Sequence, residues 1–235
     1  MVIAASGVLY MAAIYFYMRA LQTEEASTVA PFFQGTAVFG LILGYFFLGE
    51  TLAFLQIFGV ILIVAGSALI SLRFGKGVPR VKTRLVVLML ICAFTMSLSS
   101  LIFKFFAVQD DFWKTVFWSY AGDAVFGAGL MCIAANRRQF AKMFRDNTGA
   151  VLGINASNEL INLGGSIAAS YAYLFAPLGI VQAIGGTTPF FVLFFGVLIS
   201  IFWPKIGREA IGWGNIAQKI IAIALVVAGV LLINR

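Results

Sequence analysis

Apolar positions along this chain gather into blocks of about 20 residues, long enough as helices to cross a bilayer core about 30 Å thick. The blocks are Val2–Leu21, Ser27–Leu48, Phe54–Leu72, Leu85–Val108, Thr115–Ala135, Ala150–Phe175, Gly179–Trp203 and Ile216–Ile233. A spanning strand needs only about 9–11 residues, so these lengths predict helices. Polar residues collect between the blocks, and only Arg73–Arg84, Asn136–Gly149 and Pro204–Asn215 read as true loops. Trp113, Trp203 and Trp213 fall near block ends, where interfacial aromatic anchors are expected. The pattern predicts an all-α, polytopic membrane helix bundle of about eight transmembrane helices.

One block departs from uniform apolarity. In Gly153–Ser170, reading GINASNELINLGGSIAAS, the residues Asn155, Asn158, Glu159, Asn162 and Ser166 share one helical face at roughly 100° per residue. Leu160, Ile161, Leu163 and Ile167 lie off that stripe. A carboxylate at mid-membrane costs about 2.5–3.5 kcal/mol on insertion scales. The stripe is therefore expected to face a bundle interior or a watery cavity.

Composition agrees with the block pattern. The 235 residues are 62% hydrophobic and 11% charged, against about 25% charged in ordinary soluble domains. A net charge of +7 raises the question of nucleic acid, but the basic residues sit in short gaps between apolar blocks and form no continuous patch. They read as topology signals. Gaps one, three, five and seven hold most of them, while Lys104, Lys114 and Arg235 lie on the other side. The positive-inside rule places those four gaps in the cytoplasm and both termini outside. Cys92 and Cys132 fall inside apolar runs and read as small buried hydrophobes. With no His and no paired Cys, no metal or other cofactor is expected. The apolar N-terminus lacks a basic n-region and a cleavage pattern, so it reads as a span and not as a signal peptide.

The chain also repeats itself. Leu62–Gly66 (LIVAG) matches Leu225–Gly229 (LVVAG), and Phe33–Phe39 (FQGTAVF) matches Gly185–Phe191 (GGTTPFF). Together these align blocks one to three with blocks six to eight, leaving blocks four and five without counterparts. A five-span unit whose first copy lacks two spans explains this. An odd number of spans inverts successive copies across the membrane, an arrangement that builds transporters around a midplane site.

The run from Ala20 to Leu72, with ALQTEEASTVAPF, FFLGETL, Gln56 and the LIVAG helix, resembles the EamA-type drug/metabolite transporter family. SSLIFK (Ser99–Lys104) and GTTPFFVLFFGVL (Gly186–Leu198) resemble the second EamA repeat more divergently, and the LGE turn of Leu48, Gly49 and Glu50 becomes FWPKIGRE in the second copy. The resemblance implies a truncated three-span first repeat over residues 1–75 and a five-span second repeat over residues 83–235. It also implies that the first two helices of the family's ten are missing, that both termini face the cytoplasm, opposite to the charge count, and that the membrane is a prokaryotic cell (inner) membrane.

Intramembrane ionisable groups are functional candidates by default. Here they are Glu159, Asp123 and Lys104, the last within reach of the interface by snorkelling. In one arrangement Lys104 pairs with Glu159 in the absence of solute. Amides and hydroxyls at Asn155, Asn158, Asn162, Gln34, Thr36, Gln182, Thr187 and Thr188 can recognise a polar solute or bond neighbouring helices. Pro189, after Gly185 and Gly186, interrupts a span, and Gly40 with Gly44 forms a small-residue packing face.

Enzyme readings fail on the same residues. YAGD (Tyr120–Asp123) is similar to the GxGD site of intramembrane aspartyl proteases, but its first glycine is Tyr120 and a second mid-membrane Asp is missing, since Asp110 and Asp111 lie in a loop. A phosphate-binding loop and a His-based triad are also absent. The sequence therefore predicts a non-enzymatic secondary transporter or permease of small polar metabolites. It would act by alternating access around a cavity lined by spans two, four, five, six and seven, with proton coupling through Asp123 or Glu159. The alternative is a non-transporting membrane partner or a truncated remnant. Expected partners are a small polar solute and the lipid bilayer, not nucleic acid, with the chain a monomer or homodimer.

Overall fold

The computed structural model describes residues 2–22, 29–71, 83–146, 148–187, 191 and 213–233. These form nine α-helices and no strand: α1 (Val2–Leu21), α2 (Gly35–Leu48, entered through a 3₁₀ turn at Ala30–Gln34), α3 (Phe54–Ser71), α4 (Thr83–Gln109), α5 (Phe112–Met131), α6 (Ala134–Asp146), α7 (Thr148–Ala172), α8 (Leu178–Gly185) and α9 (Trp213–Ile233). Pro31 opens the 3₁₀ turn, where its missing N–H has no partner to lose. Thr188, Pro189 and Trp203 lie outside the described residues, as do most of the expected loops Arg73–Arg84 and Pro204–Asn215.

Among the described residues, α1 and α4 are each long and apolar enough to cross a membrane unaided, and shorter apolar helices cover Phe32–Leu48, Phe54–Leu69 and Ile220–Ile233. The expected loop at Asn136–Gly149 is helical instead over its described residues, 136–146 and 148–149. After α5 the chain bends by 98° and continues as α6. AANRRQFAKMFRD is built from good helix formers, and Asn136 Nδ2 donates to Leu130 O at 3.1 Å, satisfying a carbonyl left open where α5 ends.

The described chain forms two compact units, each built from two separate stretches of the sequence. The first combines Met1–Ala12 with Leu98–Ala176. Its α1 and α5 segments approach backbone to backbone: a Cβ on Gly122 would collide with Ala4 O and lie 3.1 Å from Val8 N, and one on Gly7 would lie 2.7 Å from Asp123 N. Serines lock this crossing, with Ser6 Oγ and Ser119 Oγ 2.8 Å apart and Ser99 Oγ donating to Ser6 O at 2.7 Å. Phe103, Ala107 and Val116 form its apolar core, edged by Phe112, Tyr120 and Tyr173.

The second unit combines Ala13–Ser97 with Pro177–Arg235. Ala37, Val60, Ile63, Ile180, Ala183 and Ile233 fill one core, and Ala20, Val29, Leu85 and Met89 another. Helices α3 and α9 meet at glycines. A Cβ on Gly59 would lie 2.8 Å from Gly229 O, and one on Gly66 would lie 2.8 Å from Ala222 O. Position numbers rise on one helix as they fall on the other, so the two helices are antiparallel. The register that carries Leu62 onto Leu225 also carries Gly59 onto Ala222 and Gly66 onto Gly229, so the two close contacts are reciprocal, as a two-fold relation requires.

The LGE turn has a structural role in this unit. Gly49 ends α2 at φ 66°, a left-handed conformation that glycine adopts without cost. The reversal aims Glu50 at α8, where its Oε2 accepts from Leu178 N at 2.8 Å. Leu178 is the first residue of α8, whose N-cap Pro177 offers no side-chain cap, so Glu50 supplies both the missing acceptor and a negative charge at the helix N-terminus. We expect Glu50→Ala to lower stability by about 1–2 kcal/mol and Glu50→Gln by less, because the amide oxygen keeps the acceptor. Thermal melting of the two variants in detergent checks the order.

Candidate functional site

The expected site residues separate into two groups. In the first unit, Asp123 sits one turn beyond Ser119 on α5, beside the Gly7 crossing. It is half-buried, and its Oδ1 is enclosed without a hydrogen-bond partner among the described residues. Tyr10 of α1, Tyr120 of α5, Asp123 and Glu159 of α7 all lie within electrostatic reach of one another. Tyr120 also hydrogen-bonds Ser166, two turns beyond Glu159 on α7. Two carboxylates and two phenols on three helices thus feel one another's charge. Like charges repel, and a cationic group or proton near them relieves that repulsion.

The stripe on α7 is placed differently from expectation. Asn155, Asn158, Glu159 and Asn162 are all exposed, as are the apolar residues around them, with Leu160 72% and Ile161 78% accessible. No interior encloses them within this unit. Only the C-terminal part of α7 is packed, through Tyr173, whose hydroxyl donates to Ser100 Oγ at 3.3 Å, and the aromatic group of Phe103, Phe112 and Tyr171. Glu159 lies on an open stretch, where a Cβ at Gly153, Gly164 or Gly165 would likewise meet nothing within 4 Å.

The expected pairing of Lys104 with Glu159 is not made. Lys104 is buried on α4, and its ammonium donates to Ala176 O just past the end of α7. From Glu159 to Ala172 the helix alone is about 20 Å long at 1.5 Å per residue. A buried ammonium must be paired or hydrogen-bonded, and the open carbonyls where a helix ends are the nearest acceptors.

In the second unit Gln34, Thr36 and Gln182 do come together, with Ser97 as the link. Gln34 Nε2 donates to Gly186 O at 2.9 Å, and Ser97 Oγ lies 2.7 Å from Thr36 O and 3.2 Å from Gln182 Oε1. Gln34 and Gly186 hold corresponding places in the strings FQGTAVF and GGTTPFF. Both glutamines are buried, Gln34 at 3% and Gln182 at 8% exposure, and each keeps one amide atom, Gln34 Oε1 and Gln182 Nε2, without a partner among the described residues. Room for them comes from glycine: a Cβ on Gly40 would strike Gln182 Oε1, and one on Gly186 would strike Gln34 Oε1. Thr187 is apart from this cluster and bonds its own helix end, Ile184 O at 2.7 Å.

Sequence reasoning missed Ser97, Tyr10, Tyr120 and the Ser6–Ser119 pair as contributors. Hydroxyls clustered mid-span in SLSS (Ser97–Ser100) were the available signal. Cys92 is buried as expected and faces Ala13 O at 3.2 Å, whereas Cys132 is exposed at the end of α5. Among the described residues no group of three or more His, Cys, Asp or Glu is arranged to hold a metal ion.

Comparison with known proteins adds one result. Residues 1–72 match the EamA-like transporter family. The match covers α1 to α3, including the LGE turn whose glutamate caps α8. No curated protein matches the chain. The matched family is one of membrane transporters, and this match over residues 1–72 together with the apolar helices points to an integral membrane protein.

Proposed function

We propose that this chain, EamA-like over its first 72 residues, is a secondary transporter of small polar metabolites, with Asp123 and Glu159 holding the solute's cationic group or a coupling proton. The observation that carries the reading is that Asp123 stands beside the Gly7 crossing with its Oδ1 enclosed and without a partner among the described residues, in a unit built largely from apolar helices, with Glu159, Tyr10 and Tyr120 within electrostatic reach. Charged groups are retained in such helices where a pathway needs them. The antiparallel α3–α9 pair, with its reciprocal glycine contacts, supports two inverted copies moving against each other. In the other unit, the buried Gln34–Ser97–Gln182 cluster bonds neighbouring helices to one another. The setting we infer is a prokaryotic inner membrane.

A thermal-stability screen of the purified chain against amino acids, amines, nucleosides and sugars tests this reading. A solute present at 100 times its dissociation constant stabilises the folded state by about 2.7 kcal/mol. We expect one class to raise the melting temperature of the wild type and not of Glu159→Gln; a response that the variant shares fully contradicts the assigned site.

A further inference from the structure

Helix α6 is not explained by transport. Its sequence, AANRRQFAKMFRD, folds so that Arg138, Lys142 and Arg145, at i, i+4 and i+7, share one face, while Phe140, Met143 and Phe144, at i, i+3 and i+4, share the other. The Phe140 and Phe144 rings stack with centroids 6.2 Å apart, making that face a continuous apolar surface. Arg137 falls on the flank of this face, beside Phe144. No residue of α6 is buried, and Phe140, Met143 and Phe144 are each more than a third exposed. The chain therefore forms an amphipathic helix and leaves both faces uncovered. The 98° bend between α5 and α6 sets the axis of α6 nearly perpendicular to that of α5.

We propose that α6 lies in the membrane–water interface on the side of the basic gaps, with Phe140, Met143 and Phe144 at the headgroup–acyl boundary and its arginines and Lys142 held by anionic phospholipid headgroups. Three features point to this occupant. Charge is complementary, since four cations occur within one short helix, and each Lys or Arg near an anionic leaflet adds to attraction that falls off within a Debye length. Geometry fits, because α5 covers most of the span expected from sequence at Thr115–Ala135, and a helix bent by 98° from that direction presents its side to the surface. The balance of low overall hydrophobicity with strongly opposed faces is that of helices lying in the interface, not crossing it. Anchored in this way, α6 fixes the end of α5, eight residues beyond Asp123, relative to the bilayer.

The test uses the full chain in lipid nanodiscs of phosphatidylcholine, with or without about one-third phosphatidylglycerol, and reads amide hydrogen exchange across residues 137–146. Phosphatidylglycerol is expected to slow exchange in α6 by up to about 100-fold, from three cations each contributing about fivefold. The effect should vanish in about 0.5 M salt and in the Arg138→Gln, Lys142→Gln, Arg145→Gln triple variant. It should persist in the charge-preserving Arg138→Lys, Arg145→Lys variant. Exchange in residues 98–109 reports whether each variant is folded, and the charge-preserving variant carries the test if the triple variant is not. Inorganic phosphate added to the phosphatidylcholine discs should leave α6 unchanged. Equal exchange in the two lipids, equal protection of folded wild type and triple variant, or equal slowing by free phosphate would each overturn the proposal.

Discussion

Glu159→Gln is expected to lower solute flux by about 10- to 150-fold while leaving the melting temperature nearly unchanged. The flux estimate follows from the value of a hydrogen bond to a charged group, about 1.5–3 kcal/mol, at tenfold per 1.4 kcal/mol. The stability expectation follows from exposure. Glu159 is uncovered on α7, and substitutions at such positions shift stability by no more than about 0.5 kcal/mol. The two readouts therefore separate a functional carboxylate from a structural one. Asp123→Asn is expected to lower flux similarly, since the proposed function has both groups hold the same charge. The double variant should then fall well short of the product of the single effects, because groups acting as a unit are not additive. Radiolabelled flux and thermal melting on the same preparations supply all four numbers. Product-like losses in the double variant would place the two carboxylates in separate roles.

The second large effect concerns stability. Gly229→Val puts a Cβ about 2.6 Å from Gly59 O and 2.7 Å from Ile63 Cγ1. The nearest obstacle is backbone, which no rotamer change relieves, so α3 and α9 must separate. Overpacking of this kind costs about 3 kcal/mol, or roughly a 6–12 °C drop in melting temperature for a chain of this size. Gly66→Val should behave alike, since Ala222 O stands 2.8 Å from its Cβ. Gly164→Ala is the internal contrast. Nothing lies within 4 Å of a Cβ there, and replacing a helical glycine by alanine favours the helix by up to about 1 kcal/mol. Small-residue crossings carry much of helix association in membranes because lipid removes the hydrophobic drive between helices. A Gly229→Val chain that melts with the wild type would mean that the α3–α9 contact is looser than its backbone distances state.

Much of the fold was legible because membrane helices announce themselves by length and apolarity. The expected span Val2–Leu21 coincides with α1, and Phe54–Leu72 with α3 to within a residue. The LIVAG and LVVAG echoes marked the two helices that pack as an antiparallel pair. The helix α6 was not legible as such, because a charge-rich stretch between apolar runs resembles a loop until its opposed faces are plotted at helical period. At the site, the pattern on α7 correctly gathered four polar residues on one face, yet periodicity along one helix carries no information about what covers that face. Burial of Gln34 and Gln182 likewise depends on glycines of other helices, which only the packed structure reveals. Lys104 shows the limit of charge pairing as a guide. Its ammonium bonds the Ala176 carbonyl at a helix end.

The most direct test of the account is solute counterflow in proteoliposomes loaded with the class that stabilises the purified chain. Saturable, trans-stimulated uptake that the wild type shows and Glu159→Gln loses is the predicted result. Uptake by folded wild-type protein equal to that of protein-free liposomes, or fully retained by Glu159→Gln, would contradict it.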